Sequence, residues 1–281
     1  MAVFFSRIAR RLSTHSQSDY LGVVFMPSIA LASGLCGTAG QPWPGVRYFC
    51  TQRQGGVSQP PWDGLNLGLH VQDDPLAVRA NRASLLQSVP SEPLWLEQVH
   101  GTQVCEADVG GVWCATGVPC ADAAVTTVRN RPLAIMTADC LPVVLADDAG
   151  SVLGVAHAGW RGLAAGVLEN VVAVMRRRAL RATGWRAWVG PAIGQEAFEV
   201  GDEVFHAFVD PDPQAATCFA RWPGTQRWHA DLAGLARRRL KLAGVARVEL
   251  SGECTYRQAD RYFSYRRETP TGRQATLAWL V

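Results

Sequence analysis

The stretch from Ala134 to Val174 limits the architecture of this chain more than any other part of it. Two apolar runs, Pro132 to Ala146 and Ser151 to Ala156, read as buried strands. Each delivers one soft metal ligand, Cys140 within the first run and His157 at the end of the second. Directly after His157, Ala158-Gly159-Trp160-Arg161-Gly162 reads as a glycine-bracketed turn carrying a guanidinium. A helix is expected next, with Leu163, Val167, Leu168, Val171, Val172 and Met175 on its apolar face. A strand, a glycine turn and a helix N-terminus form a place suited to anions, because free backbone N–H groups point outward there.

The chain has 281 residues, 48% hydrophobic and 18% charged, enough to bury a full core in one large domain. A formal charge of +3 with scattered arginines does not suit nucleic-acid binding, and Arg176-Arg177-Arg178 and Arg237-Arg238-Arg239 read as solvated helix faces. No apolar run reaches the roughly 18 to 20 residues that cross a bilayer. Eight cysteines at this length do not make a disulfide scaffold, and no CxxC pair occurs, so reduced thiols in a cytoplasmic protein are expected. Residues 1 to 20 are rich in arginine and serine, with no acid before Asp19, a composition like that of a transit peptide or of a frayed extension. Residues 1–41 are accordingly placed outside the fold, and 42–281 inside a single domain.

Within that domain, Val46 to Thr51 is expected as a strand, and Arg53 opens a glycine turn. Asp73-Asp74-Pro75 starts a helix running to Leu86, with Val78, Asn81 and Leu85 at helical spacing. Leu94 to Val99 is a short apolar run that ends on His100-Gly101. The glycine-rich loop from Gly110 to Cys120 holds Cys114 and Cys120, with Cys105 nearby, at a spacing too irregular for a zinc knuckle. Further strands are expected at 121–126, 187–189 and 247–250, and helices at 201–209 and 231–242, the latter capped by Asp231 and stopped by Gly244. Tyr262 to Arg267 and Gln274 to Leu280 read as a hairpin. Helices and strands alternate without a strict βαβ rhythm, which favours an α+β domain with mixed sheets.

His100, Cys140 and His157 each sit near a strand end, with glycine beside or one residue from both histidines, and together they form the candidate metal set. Zinc takes neutral imidazole and thiolate, and three protein ligands with a fourth position left for water is the catalytic pattern.

Several separated motifs resemble the multicopper polyphenol oxidase, or laccase-domain, family, also described as YfiH-like purine nucleoside phosphorylases. They are Leu96-Glu97-Gln98-Val99-His100-Gly101, Ala121-Asp122-Ala123, Thr137-Ala138-Asp139-Cys140-Leu141-Pro142, Ala156-His157-Ala158-Gly159-Trp160-Arg161-Gly162, Gly190-Pro191-Ala192-Ile193-Gly194, Tyr265-Arg266-Arg267 and Thr271-Gly272-Arg273. The resemblance implies layered mixed sheets flanked by helices in a single domain, and a zinc site at His100, Cys140 and His157. It also implies phosphorolysis of adenosine, inosine and S-methyl-5′-thioadenosine, with accompanying adenosine deamination, in a monomer or small homo-oligomer. A full laccase centre needs more imidazoles than the six histidines of this chain supply; a single copper on the same trio, with Met136 as axial sulfur, ranks below zinc.

For that chemistry Asp139, beside Cys140, is the candidate proton carrier, and Arg161, near a helix N-terminus, the candidate phosphate holder, with Arg53 and Arg266 as further substrate-binding arginines. A competing enzyme reading makes Cys140 a nucleophile and His157 its base in amide cleavage, a role linked through the family to the editing of peptidoglycan precursors. A non-catalytic, metal-pinned binding module ranks last, because the chain offers no clear fourth ligand.

Overall fold

A computed structural model describes residues 28–281 apart from 111, 112, 223 and 225. Expectations that concern residues 1–27, the transit-peptide-like composition among them, lie outside the described residues. One antiparallel sheet holds β1 (Ser28–Ala30), β2 (Cys36–Thr38), β3 (Val46–Thr51), β14 (Gln274–Leu280) and β6 (Leu133–Thr137) in that order. A second, mixed sheet runs β13 (Arg247–Leu250), β9 (Trp185–Val189), β7 (Leu141–Asp147), β8 (Leu153–Ala158), β5 (Ala123–Thr126) and β4 (Val104–Glu106). A small third sheet joins β10 (Glu199–Val200), β12 (Trp228–Ala230) and β11 (Phe219–Arg221). The helices are α1 (Pro75–Leu86), α2 (Trp160–Ala165), α3 (Val167–Arg178), α4 (Asp202–Val209) and α5 (Leu232–Leu242).

Strand periodicity explains the layering. Val46, Tyr48 and Cys50 of β3, Leu133 and Ile135 of β6, and Ala278 and Leu280 of β14 point one way and meet Val144 and Ala146 of β7 and Leu153 and Val155 of β8 between the two large sheets. The alternate residues Phe49, Ala134, Met136 and Leu277 face Leu65, Leu67, Trp95 and Leu85 of α1. On the far side, Val143, Leu145 and Ala156 pack on Val167, Leu168, Val171 and Met175 of α3 and on Leu235 and Leu240 of α5. Both faces of the two large sheets are therefore covered, which is why their central strands read as continuous apolar runs. Each fully buried Val, Leu or Ile contributes roughly 1.5–3 kcal/mol, so these layers set a rigid frame for the loops between them. The result is the layered, mixed-sheet single domain expected.

Five local expectations need correction. The run from Pro132 to Ala146 is two strands in two different sheets, β6 and β7, and the chain crosses between layers at Ala138-Asp139-Cys140, where Asp139 takes a left-handed φ of 95°. The helix expected through Leu163 to Met175 breaks at Gly166, whose φ of 100° ends α2 and starts α3. Tyr262 to Arg267 is a turn: Phe263 N–H bonds the Gln274 side chain and Arg267 N–H bonds Ser264 Oγ, so local side chains satisfy the backbone and β14 pairs with β3 and β6 instead. The fold also begins before Pro42, since β1 pairs with β2 and β2 with β3. The run Leu94 to Val99, expected to deliver His100 from a strand end, makes only isolated bridges at Leu94 and Glu97, and the other expected elements fall where placed, including the Asp74 cap of α1 and the Asp231 cap of α5.

Candidate metal centre and its cavity

Three chain segments meet at one end of the sheets. His100 follows the segment 94–99, Cys140 ends the crossover from β6 to β7, and His157 lies on β8 opposite Pro142. One ligand atom from each falls within 4.8 Å of the others. Cys140 Sγ is 3.9 Å from His100 Nε2, and the two imidazoles meet edge-on with centroids 4.7 Å apart. Gly159 leaves the space open: a Cβ there would stand 3.0 Å from Cys140 Sγ and 2.9 Å from His100 Cδ2. Both His100 (φ 60°) and Asp139 (φ 95°) hold left-handed backbone, a conformation that costs energy outside glycine and is kept where surrounding contacts enforce it.

At His100 those contacts centre on Asp122, which lies at the start of β5 and is fully buried. Its carboxylate accepts the N–H groups of Val99 (3.2 Å), His100 (2.9 Å) and Gly101 (2.7 Å), and His157 Nδ1 at 2.8 Å. Burial alone would raise its pKa; the His157 imidazole and the backbone donors outweigh that and hold it below the usual carboxylate range. One buried acid thus orients two of the three candidate ligands, leaving Nε2 of His157 for a metal. A carboxylate behind a ligand histidine is the usual support of a zinc site, and two imidazoles with a thiolate are a fitting donor set for zinc. The thiol itself is prepared: burial would raise it, but the charge of His157 and contact with His100 bring it down to about 6, while Cys140 and Asp122 outweigh burial at His157 and lift it to about 9.

A cavity of about 510 Å³ opens over the trio, with Trp160, Phe198, Tyr265, Gln98, Asp139, Arg266 and Arg273 among its lining. The four remaining residues singled out from the sequence separate in the structure. Asp139 lines the cavity, but both carboxylate oxygens are engaged, one by Thr255 Oγ1 (2.6 Å) and the other by Arg266 N–H (2.7 Å). Arg266 lines it too, its Nη1 donating to the Glu199 carbonyl at 2.9 Å. Arg161 is exposed, lies over the ring of its neighbour Trp160 at 4.4 Å, and does not line the cavity. Arg53 is a structural arginine, paired with Asp63 (3.0 Å) and Glu268 (3.1 Å), away from the cavity.

Sequence reasoning missed Asp122 and Arg273 as site residues. Asp122 carried a signal, an acid inside a run of small buried residues, where an unpartnered charge is costly. Arg273 N–H bonds Asn66 Oδ1 and its Nη1 bonds the carbonyls of Thr271 and Gly272, so the side chain is held rigidly over the cavity. Gln98 grips the backbone of Met136 at both N–H and C=O, tying the His100 segment to β6. Met136 Sδ accepts from Arg82 Nη2 at 3.8 Å, an engagement that competes with an axial copper role.

The loop around Cys114 also departs from expectation: Glu97, Cys114 and Cys120 place one ligand-type atom each within 4.8 Å of the others. Irregular spacing had argued against a metal cluster there, but an isolated parallel bridge sets Glu97 beside Cys120 and supplies the third group from elsewhere in the chain.

Fold and site together define a layered α+β domain with an open cluster of two imidazoles and one thiol under a cavity bearing arginines. The family described as multi-copper polyphenol oxidoreductase laccase matches residues 47–281, and the chain belongs to it. It is 46% identical over 241 residues to a purine nucleoside phosphorylase of Pseudomonas aeruginosa, covering 85% of this chain and 96% of that protein. It is 44% identical over 248 residues to the purine nucleoside phosphorylase YfiH of Escherichia coli, covering 85% and 97%. A crystal structure of a Neisseria meningitidis protein superposes with a TM-score of 0.80 at 45% identity, covering 88% of this chain and 98% of that one. YlmD from Geobacillus stearothermophilus does so with a TM-score of 0.81 at 29% identity, covering 91% and 98%.

Proposed function

We propose that this chain is a zinc-dependent purine nucleoside phosphorylase acting on adenosine, inosine and S-methyl-5′-thioadenosine, with adenosine deaminase activity at the same centre. The observation that carries the reading is the cavity: its volume suits a small ligand, aromatic side chains offer faces for a purine, and Arg266 and Arg273 offer charge for phosphate. The names of the curated relatives support the same substrate class. His100, Cys140 and His157 hold the zinc, with Asp122 fixing both histidines. Bound zinc supplies Lewis-acid polarisation and lowers the pKa of coordinated water. In phosphorolysis a phosphate oxygen bonds to ribose C1′ as the C1′–N9 bond breaks and its electron pair leaves with the base; the chain's part is to hold the two reactants in line. Arg273 and Arg266 take over the phosphate role first assigned to Arg161. Asp139 holds the Arg266 backbone in place and acts on Arg266 as a positioning residue, besides its proposed part in moving protons. A cytoplasmic location is part of this proposal and rests on the kind of substrate; no helix among the described residues is long and apolar enough to cross a membrane.

The decisive experiment incubates purified protein with adenosine, with and without phosphate. Ribose 1-phosphate that appears only with phosphate supports phosphorolysis, and inosine supports deamination; neither product from metal-loaded protein would overturn the reading.

A second reading has one specific observation in its favour. Asp122, His157 and Cys140 line up as carboxylate, imidazole and lowered thiol, the arrangement of a cysteine nucleophile with an oriented base. It would cleave an amide, as in peptidoglycan-precursor editing. A ligated thiolate resists alkylation and a free nucleophile reacts quickly, so iodoacetamide labelling of Cys140 in protein as purified separates the two.

A further inference from the structure

We propose that Glu97, Cys114 and Cys120 form a second metal site, separate from the His100 centre, that takes a thiophilic divalent cation, zinc(II) foremost. The geometry starts with the backbone. The short loop from Trp113 to Pro119 is closed by a bridge between its ends, by Cys114 N–H to Val118 C=O at 2.9 Å and by Gly117 N–H to Cys114 C=O at 3.0 Å. Gly117 takes a φ of 78°, which makes so tight a turn possible. Cys114 and Cys120 are thereby brought to the base of one loop. Glu97 N–H bonds Pro119 C=O and Ala121 N–H bonds Glu97 C=O, so Glu97 flanks Cys120 in parallel register.

Three observations point to a cation. The ligand-type atoms already lie within 4.8 Å of one another. Two sulfurs on tetrahedral zinc stand about 3.8 Å apart, given Zn–S bonds of about 2.3 Å, so closure needs side-chain shifts of at most about 1 Å. Glu97 Oε2 is oriented by the Thr116 hydroxyl at 2.5 Å, the kind of support that ligating carboxylates receive. Two thiols and a carboxylate that converge this closely would repel one another if all were ionised. A divalent cation removes that conflict by displacing the thiol protons to solvent. A disulfide would satisfy the two sulfurs but give the oriented carboxylate nothing to do. Two thiolates and one carboxylate leave a fourth position for water, and the thiolates select zinc over magnesium or calcium.

The test is a zinc(II) titration of the metal-free full chain under reductant, against a chromophoric chelator. Wild type should take up two equivalents, Cys114→Ser/Cys120→Ser one, and His100→Ala/His157→Ala one, each with unchanged circular dichroism. The two sites fail separately: if the His100 reading is wrong, His100→Ala/His157→Ala keeps its equivalent while Cys114→Ser/Cys120→Ser loses its own. One equivalent in wild type that survives Cys114→Ser/Cys120→Ser overturns the proposal. So does a Cys114–Cys120 disulfide isolated from reductant-treated protein that takes up only one equivalent.

Discussion

Two groups of three ligand-type residues, built in different ways, lie in neighbouring parts of this molecule. The His100, Cys140 and His157 group is set by strands β7 and β8 and by the loop that carries His100, with a buried carboxylate tying two members and left-handed backbone at His100 and Asp139. The Glu97, Cys114 and Cys120 group is half-buried on a surface loop, with one hydroxyl as support. Rigid support fixes ligands before a metal arrives, whereas a loop site must be drawn together by the metal. The first arrangement suits chemistry, where a ligand atom displaced by even an ångström is costly. The second suits a structural or sensing role.

The largest expected effect comes from filling the first site. Gly159→Ala places a methyl group against Cys140 and His100, and should lower zinc affinity at that centre by at least about a hundredfold while the loop site keeps its zinc, checked by stoichiometry in a titration. Equal loss at both would erase the contrast. Asp122→Asn comes next. Its amide cannot accept every donor that the carboxylate serves, so zinc affinity should fall by about tenfold to a hundredfold and folding stability by about 1–3 kcal/mol, read from denaturant unfolding. Because the folded pKa of Asp122 lies below the unfolded one, its stabilisation is present above the ordinary carboxylate range and lost as pH falls through the lowered folded value. The Asn variant should lack that part of the acid dependence.

The arginines sharpen the account of the cavity. Arg273→Ala should raise the KM for phosphate by about tenfold to a hundredfold, the equivalent of a charge-assisted contact worth about 1.5–3 kcal/mol. Arg161→Ala should change it less than about twofold, as exposed side chains outside the cavity do. A large effect at Arg161 with none at Arg273 would return the phosphate to the helix N-terminus. Asp139→Asn should keep zinc. A normal rate per bound zinc with a raised phosphate KM marks it as the positioner of Arg266, and a rate per zinc lowered by about a hundredfold or more marks it as a proton carrier.

The smallest effect concerns metal-free protein. Alkylation of Cys140 should rise with pH around 6, well below the ordinary thiol range near 8.5, because His157 and His100 favour its thiolate.

The elements that could be read from residues alone were those whose causes are local. Asp74 and Pro75 mark the start of α1, and the consecutive apolar residues Tyr48, Phe49 and Cys50 mark β3 as a strand buried on both faces. The trio at 100, 140 and 157 was visible because the two histidines close apolar runs with glycine beside or one residue away, and Cys140 lies within another such run. What stayed hidden depends on distant partners. No glycine or proline announces the crossover at 138–140; the left-handed turn at Asp139 is held by Thr255 and Arg266 at its carboxylate and by Ile193 N–H at its carbonyl. Asp122 owes its importance to segments 23 residues before it and 35 after it. Cys114 and Cys120 show no metal spacing by themselves, and acquire a third group only through pairing with Glu97.

The most direct test of the central claim is the yield of ribose 1-phosphate from inosine and phosphate, measured as zinc is returned to metal-free Cys114→Ser/Cys120→Ser protein, which isolates the His100 centre. Ribose 1-phosphate should rise in proportion to bound zinc, saturate at one equivalent, and vanish when Cys140→Ala is added. Undiminished ribose 1-phosphate from the Cys140→Ala protein would contradict the account.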